Sequence, residues 1–205
     1  MDSREQQDEA YRAIGRYMVV FSMLIASMLR SLMIERLTEP ETEARDLIAL
    51  AFGSSMAQQI ADPFFAMCRA VTNLDESEAQ IESLLRRHVN KEIEERNRIA
   101  HSDWLITRWT RGDIQVPTAA RVLVKARSKE PVQQVNYKPE QIDGLGERAE
   151  LLGNVVWEFG SICLQRGTWD PREGYPTVRV RDSLQIEAGR VVYKPGDHSV
   201  PFPPR

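Results

Sequence analysis

The chain has 205 residues, a length that fits one domain of ordinary size with a substantial apolar core. Its 27 Lys and Arg against 30 Asp and Glu give a formal net charge of -3, so the overall charge indicates neither a nucleic-acid nor a membrane partner. Cys68 and Cys163 lie in separate apolar helical patterns without a CxxC pair, which predicts reduced core thiols rather than metal ligands. The polar start of the chain shows no signal peptide, so we expect a cytoplasmic location.

The first predicted element is a long amphipathic helix over about residues 6–37, where apolar side chains recur at spacings of three and four. Its longest apolar run, Tyr17 to Leu29, is bounded by Arg16 and Arg30. This run falls short of the roughly 20 residues that a membrane span requires. We therefore expect a core helix and no membrane partner.

Two further helices are predicted before the middle of the chain. The second pattern covers residues 42–71, and Asp62 followed by Pro63 predicts either a kink or a restart of the helix there. Ser77, with Gln80 three residues later, predicts a capping box that opens the third helix.

Strands and a fourth helix are predicted after the third helix. Alternating apolar and polar residues predict a β-hairpin over about residues 119–138. A helix then follows over about residues 139–165, with an apolar stripe at helical spacing. The predicted fold is mainly α, an up-down four-helix bundle over residues 1–167 with the hairpin inserted between helices 3 and 4.

The end of the chain, residues 168–205, contains six prolines. Short strand-like pieces occur at residues 177–180 and 191–193. We expect an irregular C-terminal extension here.

The segment from Arg96 to His101, late in the third helix, is the candidate for a catalytic or ligand-binding site. On a helical wheel Arg96 lies within about 60° of Leu85, in the apolar stripe. A charge there is costly unless it is paired or lies in a cleft at a subunit interface. Glu92, four residues earlier, could pair with Arg96, and this alternative needs no ligand. On a straight helix Arg96 and His101 diverge by about 140°, so one small ligand can contact both only if the helix ends near His101 or two chains meet.

These residues resemble the motif of HEPN (higher eukaryote and prokaryote nucleotide-binding) domains. Ribonucleases of that family are helical bundles that carry an Arg, usually followed by a polar residue, and a His five positions after the Arg. Arg96, Asn97 and His101 match this pattern, and the resemblance covers about residues 6–165.

The resemblance implies a homodimer whose two protomers bring their motifs together and cleave single-stranded RNA without a metal. It also implies a role as a toxin of a toxin-antitoxin module or as a phage-defence effector, with an antitoxin or another regulatory protein as a partner. One group of HEPN toxins is controlled through a tyrosine two residues after the histidine. Here that position is Asp103, so this control is not expected.

The residue types suit RNA cleavage because RNA supplies its own nucleophile, the 2'-hydroxyl. His101 titrates near neutral pH and suits general acid or base work. Arg96 suits the phosphate oxygens as negative charge builds, and Asn97 would orient His101 or contact phosphate. The expected product carries a 2',3'-cyclic phosphate, and neither a metal nor a cofactor is expected.

Basic residues follow the motif and are weaker candidates for RNA contacts. They are Arg98, Arg108, Arg121 and Lys125. The alternative is that these charges are simply solvated. For His101 alone, an ordinary helix C-terminus is also an alternative, because a histidine there favours the helix dipole.

Signatures of other enzyme classes are absent from the sequence, including a P-loop, a dinucleotide fingerprint and a nucleophile elbow. Two other functions remain open. One is a non-catalytic HEPN-like dimeric module that binds nucleotide, RNA or a partner protein. The other is a structural helical dimer in which Glu92 and Arg96 pair and nothing is bound.

Overall fold

The computed structural model describes residues 3–36, 56–100, 103–111, 114–124, 132–168 and 179–193. The chain is mainly helical, as predicted. Its helices are α1 (Ser3–Arg36), α2 (Ala57–Val71), α3 (Glu76–Ala100), α4 (Pro139–Thr168) and the single turn α5 (Val180–Ser183). Its strands are β1 (Asp103–Arg111), β2 (Ile114–Val124), β3 (Val132–Tyr137), β4 (Leu184–Glu187) and β5 (Arg190–Tyr193).

The chain divides into two compact units, and the three longest helices each contribute to both. The first unit comprises residues 1–23 and 91–151, and the second comprises residues 24–90 and 152–205. The predicted division at residue 167 stays a prediction.

The first unit has a small apolar core between the start of α1, the end of α3 and the start of α4. Small side chains on α1 allow the larger side chains of the other helices to approach closely. The buried members are Ala10, Ala13, Tyr17, Ile99, Ile142 and Ala149.

The core of the second unit contains three aromatic rings from α2 and α4. Phe64, Phe65 and Phe159 are all fully buried. The ring centroids of Phe64 and Phe65 are 5.0 Å apart, and each of these rings lies 6.4 Å from that of Phe159. Such tilted and edge-to-face contacts add to the stabilisation from burial.

Four glycines of α4 are spaced by seven residues and allow close approach of neighbouring helices. Within the second unit, a Cβ added to Gly153 would lie 3.6 Å from the Leu24 Cα, and one added to Gly160 would lie 2.7 Å from the Ser31 Oγ. Leu24 and Ser31 are also seven residues apart, so α1 and α4 run parallel here. This direction differs from the strict alternation predicted for an up-down bundle.

The chain between α1 and α2, residues 37–55, lies outside the described residues, including most of the predicted start of the second helix.

Helix α2 continues through Pro63, which lies within the helix. The predicted restart at Asp62 is therefore wrong. Asp62 instead accepts a hydrogen bond at 2.8 Å from the Arg86 guanidinium of α3. Burial of the α2 apolar face, including Ile60 and Phe64 on either side of this position, offsets the hydrogen bond that a proline removes.

A capping box opens α3, but its residues are Asp75 and Glu78 rather than Ser77 and Gln80. The Glu78 amide donates to Asp75 Oδ1 at 3.0 Å, and the Asp75 amide donates to Glu78 Oε2 at 3.1 Å. Ser77 donates its hydroxyl hydrogen to Asp75 Oδ1 at 2.7 Å. These hydrogen bonds, first that of Ser77, lower the pKa of the Asp75 carboxyl.

The hairpin predicted at about residues 119–138 is confirmed as the β2-β3 pair, and β1 adds a third strand to give an antiparallel sheet in the order β1-β2-β3. Within the sheet Asp103 pairs with Val122, and Ala119 pairs with Tyr137. Strand β1 was not predicted because Leu105 and Ile106 are adjacent apolar residues that break the alternation.

The predicted irregular extension contains an ordered hairpin, so that expectation is wrong for residues 180–193. Strands β4 and β5 pair through a two-residue turn in which Ala188 and Gly189 have φ values of 48° and 74°. Of the strand predicted at residues 177–180, the first two residues lie outside the described residues, and its last residue, Val180, begins α5 instead. The piece predicted at residues 191–193 is confirmed within β5. The order of residues 180–193 was not predicted, because prolines lie on both sides of this proline-free segment.

One described helix segment, Asp8 to Leu32 of α1, is long and apolar enough to cross a membrane by length and composition alone. Core helices of soluble proteins and signal sequences meet the same criterion, and 28% of the most apolar window of this segment is buried. The segment supplies core side chains to both units, and the fold is compatible with a soluble protein. These side chains are Ala10, Ala13, Tyr17, Phe21, Leu24 and Met28.

We expect Gly160→Ala to lower the free energy of unfolding by about 1–3 kcal/mol, because the added methyl group would meet Ser31 and a Phe64 ring carbon 2.9 Å away. Gly144→Ala is the matched control on the same helix, because nothing lies within 4 Å of its added Cβ. The control should raise stability by roughly 0.5–1 kcal/mol. Denaturant unfolding measures both values, and equal stabilities would contradict the close packing of Gly160.

Candidate active site

The last turns of α3 place the motif within the first unit. Ile99 is 1% exposed in the core, and this anchors the final turn of the helix. Glu92 and Arg96 precede it at helical spacing and lie on the same inward side. Asn97 and Arg98, between Arg96 and Ile99, are exposed.

Glu92 is a buried carboxylate held by side chains from two other helices. It is 2% exposed. Its Oε1 accepts a hydrogen bond from the Tyr17 hydroxyl at 3.0 Å, and its Oε2 accepts one from the Arg148 Nε at 2.9 Å. Both carboxylate oxygens therefore have partners, as a buried charge requires.

The electrostatics of this cluster follow from its burial. Burial raises the pKa of the Tyr17 hydroxyl far above its usual range, and the adjacent Glu92 charge raises it further. Burial alone would lower the pKa of Arg148, but the hydrogen bond and charge of Glu92 outweigh it, so that pKa is raised. Tyr17 is therefore neutral and Arg148 charged at all ordinary pH values.

The alternative in which Glu92 simply pairs with Arg96 is wrong for the described structure. The Glu92 carboxylate binds Tyr17 and Arg148 instead. Within the described ranges, Arg96 forms no ion pair with any carboxylate. The sequence spacing suggested the pair because residues four apart are neighbours on a helix, but two partners from other helices compete for the same oxygens.

Arg96 has an unusual environment for a cation. Its Nη1 donates to the neutral amide oxygen of Asn97 at 3.1 Å. Its Cζ lies 5.7 Å from the centroid of the Phe21 ring, within cation–π range. Its Nε is buried and has no hydrogen-bond partner among the described residues. The guanidinium thus keeps donor capacity that an incoming acceptor could use.

Arg98, a weaker RNA candidate, faces acidic neighbours on its own helix. Its guanidinium lies 3.4 Å from Glu94 and 3.3 Å from Glu95. Glu95 also accepts a hydrogen bond from the Tyr137 hydroxyl at 3.0 Å, which ties α3 to the end of β3. The charge of Arg98 is therefore largely compensated, unlike that of Arg96.

The remaining predicted site residues lie at the edge of, or beyond, what the structure describes. His101 directly follows the last residue of α3 and lies outside the described residues, as does Lys125. Arg108 lies on β1 opposite Pro117, and Arg121 lies on β2 opposite Trp104 and Val135. The structure therefore brings Arg96 and Asn97 together, while the positions of the other candidates relative to Arg96 stay predictions.

The sequence did not predict that Tyr17, Glu92 and Arg148 form a cluster. One signal was available, because Glu92 follows Leu85 by seven residues and so lies within about 20° of it on the wheel. A glutamate at that angle must find a buried partner. Its two partners could not be named, because Tyr17 and Arg148 are remote from it in the sequence.

Comparison with known proteins found no match of this chain to any protein-family model, curated protein or solved structure. The resemblance to HEPN domains therefore rests on Arg96, Asn97, His101 and their place in a helical fold. Among the described residues, no group of three or more His, Cys, Asp or Glu is placed to hold a metal ion.

We expect Tyr17→Phe to lower the free energy of unfolding by roughly 1–3 kcal/mol at neutral pH, because it removes a hydrogen bond to a buried charge. The pH dependence should also change. The pKa of Tyr17 is raised on folding, so its contribution to stability is complete below its unfolded pKa of about 10 and is lost as the pH rises above that value.

Denaturant unfolding at neutral and alkaline pH, together with phenolate absorbance, measures this effect. Wild-type protein should lose more stability above pH 10 than Tyr17→Phe does, and one of its five tyrosines should ionise only on unfolding. Tyr11→Phe is the control, because Tyr11 is 61% exposed on the same helix. Equal alkaline loss in wild type and Tyr17→Phe would contradict the buried hydrogen bond.

Proposed function

We propose that this chain is a HEPN-type endoribonuclease that cleaves single-stranded RNA by attack of the 2'-hydroxyl, without a metal. The proposal combines the motif of Arg96, Asn97 and His101 with one observation of the site. A cation lies on the inward side of α3 with a buried, unsatisfied Nε and without a carboxylate partner among the described residues.

The environment of Arg96 supports binding of a phosphate. A buried donor without a partner costs free energy, and an anion would recover that cost once a local movement exposes the Nε, which is buried in this structure. The nearby Glu92 carboxylate would repel an anion if it were free, but Tyr17 and Arg148 bind both of its oxygens. Phe21 provides an aromatic surface beneath the guanidinium, which limits its motion and keeps its fork of donors in one orientation.

Each motif residue then has a role in cleavage. Arg96 would bind the scissile phosphate and stabilise negative charge in the transition state. His101 would accept the proton of the 2'-hydroxyl or donate a proton to the leaving 5'-oxygen. Asn97 Oδ1 accepts a hydrogen bond from Arg96 Nη1. Asn97 would thereby orient the guanidinium towards phosphate. The products would be a 2',3'-cyclic phosphate and a 5'-hydroxyl.

The proposed setting is a cytoplasmic homodimer with a composite active site. An uncompensated cation is better tolerated where a second protomer or an RNA strand covers it. Arg108, Arg121 and Lys125 would add sequence-independent attraction for the RNA backbone, whereas Glu94 and Glu95 largely compensate the charge of Arg98. Action as a toxin or phage-defence effector, restrained by an antitoxin or another protein, belongs to the same proposal.

The test is incubation of purified protein with a single-stranded RNA in excess EDTA, followed by analysis of the product ends. We expect cyclic phosphate ends from wild type. Arg96→Ala should lower kcat/KM by about 10²–10³-fold, and His101→Ala by about 10²–10⁴-fold. Arg96→Lys should remain well below wild type, because it keeps the charge but not the planar fork of donors.

Arg87→Ala is the matched control, because Arg87 is an exposed arginine on the same helix. It should cleave like wild type. Cleavage that survives both Arg96→Ala and His101→Ala would contradict the proposal. RNA binding by wild type without any cleavage would instead favour the non-catalytic module.

A further inference from the structure

Two buried cysteines from different helices meet in the second unit. Cys68 of α2 and Cys163 of α4 are both 0% exposed, and neither forms a disulfide. The core position predicted for both cysteines is confirmed. Their place beside each other was not predicted from the sequence.

Close contacts between α2 and α4 lie on either side of the cysteines. One helical turn before them, a Cβ added to Gly160 would lie 2.9 Å from the Phe64 Cε2. One turn after them, a Cβ added to Gly167 would lie 2.8 Å from the Val71 Cβ and 3.1 Å from the Val71 carbonyl oxygen. The two helices therefore run parallel and close together over this length, and the cysteines face each other between the two contacts.

The thiols also interact directly. The Cys68 thiol forms a hydrogen bond with the Cys163 sulfur, and this lowers the pKa of Cys163 although burial raises it. The Arg166 charge, one turn further along α4, acts in the same direction. The hydroxyl of Thr72, the residue that follows α2, donates to the Cys163 carbonyl oxygen at 3.1 Å. A disulfide needs two cysteines on closely packed backbones. The close approach of α2 to α4 and the contact between the two thiols meet this need.

We propose that Cys68 and Cys163 form a reversible redox site, in which a peroxide oxidises the dithiol to a disulfide that links α2 to α4. The Cys163 thiolate attacks one peroxide oxygen, the S–O bond forms, the O–O bond breaks, and water leaves after protonation. The Cys68 sulfur then attacks the sulfenic sulfur, the S–S bond forms, and the S–O bond breaks with loss of a second water. Two thiols and one hydrogen peroxide thus give one disulfide and two waters.

Access to the buried pair requires local opening, which the position of Cys68 makes feasible. It lies less than one turn before Val71, the last residue of α2, and the chain leaves the helix at Thr72. Helix ends open at lower free energy than helix centres, so oxidant can reach the thiols without global unfolding. The bond would cross-link two helices of one unit and does not depend on the ribonuclease proposal.

The experiment uses the full chain in its native state. Protein is treated with hydrogen peroxide, unfolded in an alkylating agent, and digested without reduction for mass spectrometry. We expect a peptide pair joined through Cys68 and Cys163, lighter by two hydrogen atoms than the two reduced peptides, and its loss after treatment with dithiothreitol. Cys68→Ala and Cys163→Ala are the controls, and neither should form the linked pair.

A second measurement tests whether the native placement favours the bond. Wild type is equilibrated with reduced and oxidised glutathione, once in buffer and once in urea. The equilibrium should favour the disulfide at least about tenfold more in the native chain. Full alkylation of both thiols after peroxide, linkage only between chains, or an equilibrium no more favourable than in urea would each overturn the proposal.

Discussion

Pairing of buried charge on α3 constrains the positions of the helices around it. Its inward side carries three glutamates, Glu78, Glu82 and Glu92, each at most 2% exposed. Each binds an arginine of another helix, at 2.8 Å for Arg166, 2.6 Å for Arg69 and 2.9 Å for Arg148. Removal of one partner would leave a buried charge uncompensated, which costs far more than a lost surface pair. Within each unit these pairs therefore select one placement of the neighbouring helices, which apolar contacts alone would allow to slide.

Arg96 differs from these glutamates because it is a cation on the same inward side of α3. The inward glutamates are matched by arginines, whereas Arg96 contacts an amide oxygen and an aromatic ring among the described residues. Each of the three buried glutamates has an arginine partner, although Glu82 Oε1, like Arg96 Nε, is buried without a hydrogen-bond partner among the described residues. Under the proposed ribonuclease function, a phosphate of the RNA backbone would supply the acceptor that Arg96 lacks among the described residues.

The sequence predicted the existence of the long helices well, because their apolar side chains recur over many turns. Predictions from short sequence motifs failed where two sets of residues fit the same motif. Ser77 with Gln80 and Asp75 with Glu78 both have the capping-box spacing, and only the buried position of Glu78 decides between them. Interactions between remote segments gave no local signal. The partners of Glu92 and the meeting of Cys68 with Cys163 are of this kind, and Arg96 alone was recognised, because a charge in an apolar stripe is visible on a helical wheel.

Glu78 also determines how the end of the chain contributes to stability. Its Oε1 accepts a hydrogen bond from the Val180 amide at 2.9 Å, beside the one it accepts from Arg166. Val180 of α5 and Leu184 at the start of β4 are both fully buried, so this segment enters the second unit's core, whereas the rest of β4 is exposed. A protease cut or a stop codon just before Val180 would expose apolar surface and remove one of the donors to Glu78. Expression of a shortened chain is therefore expected to weaken the start of α3, far along the sequence from the deleted segment.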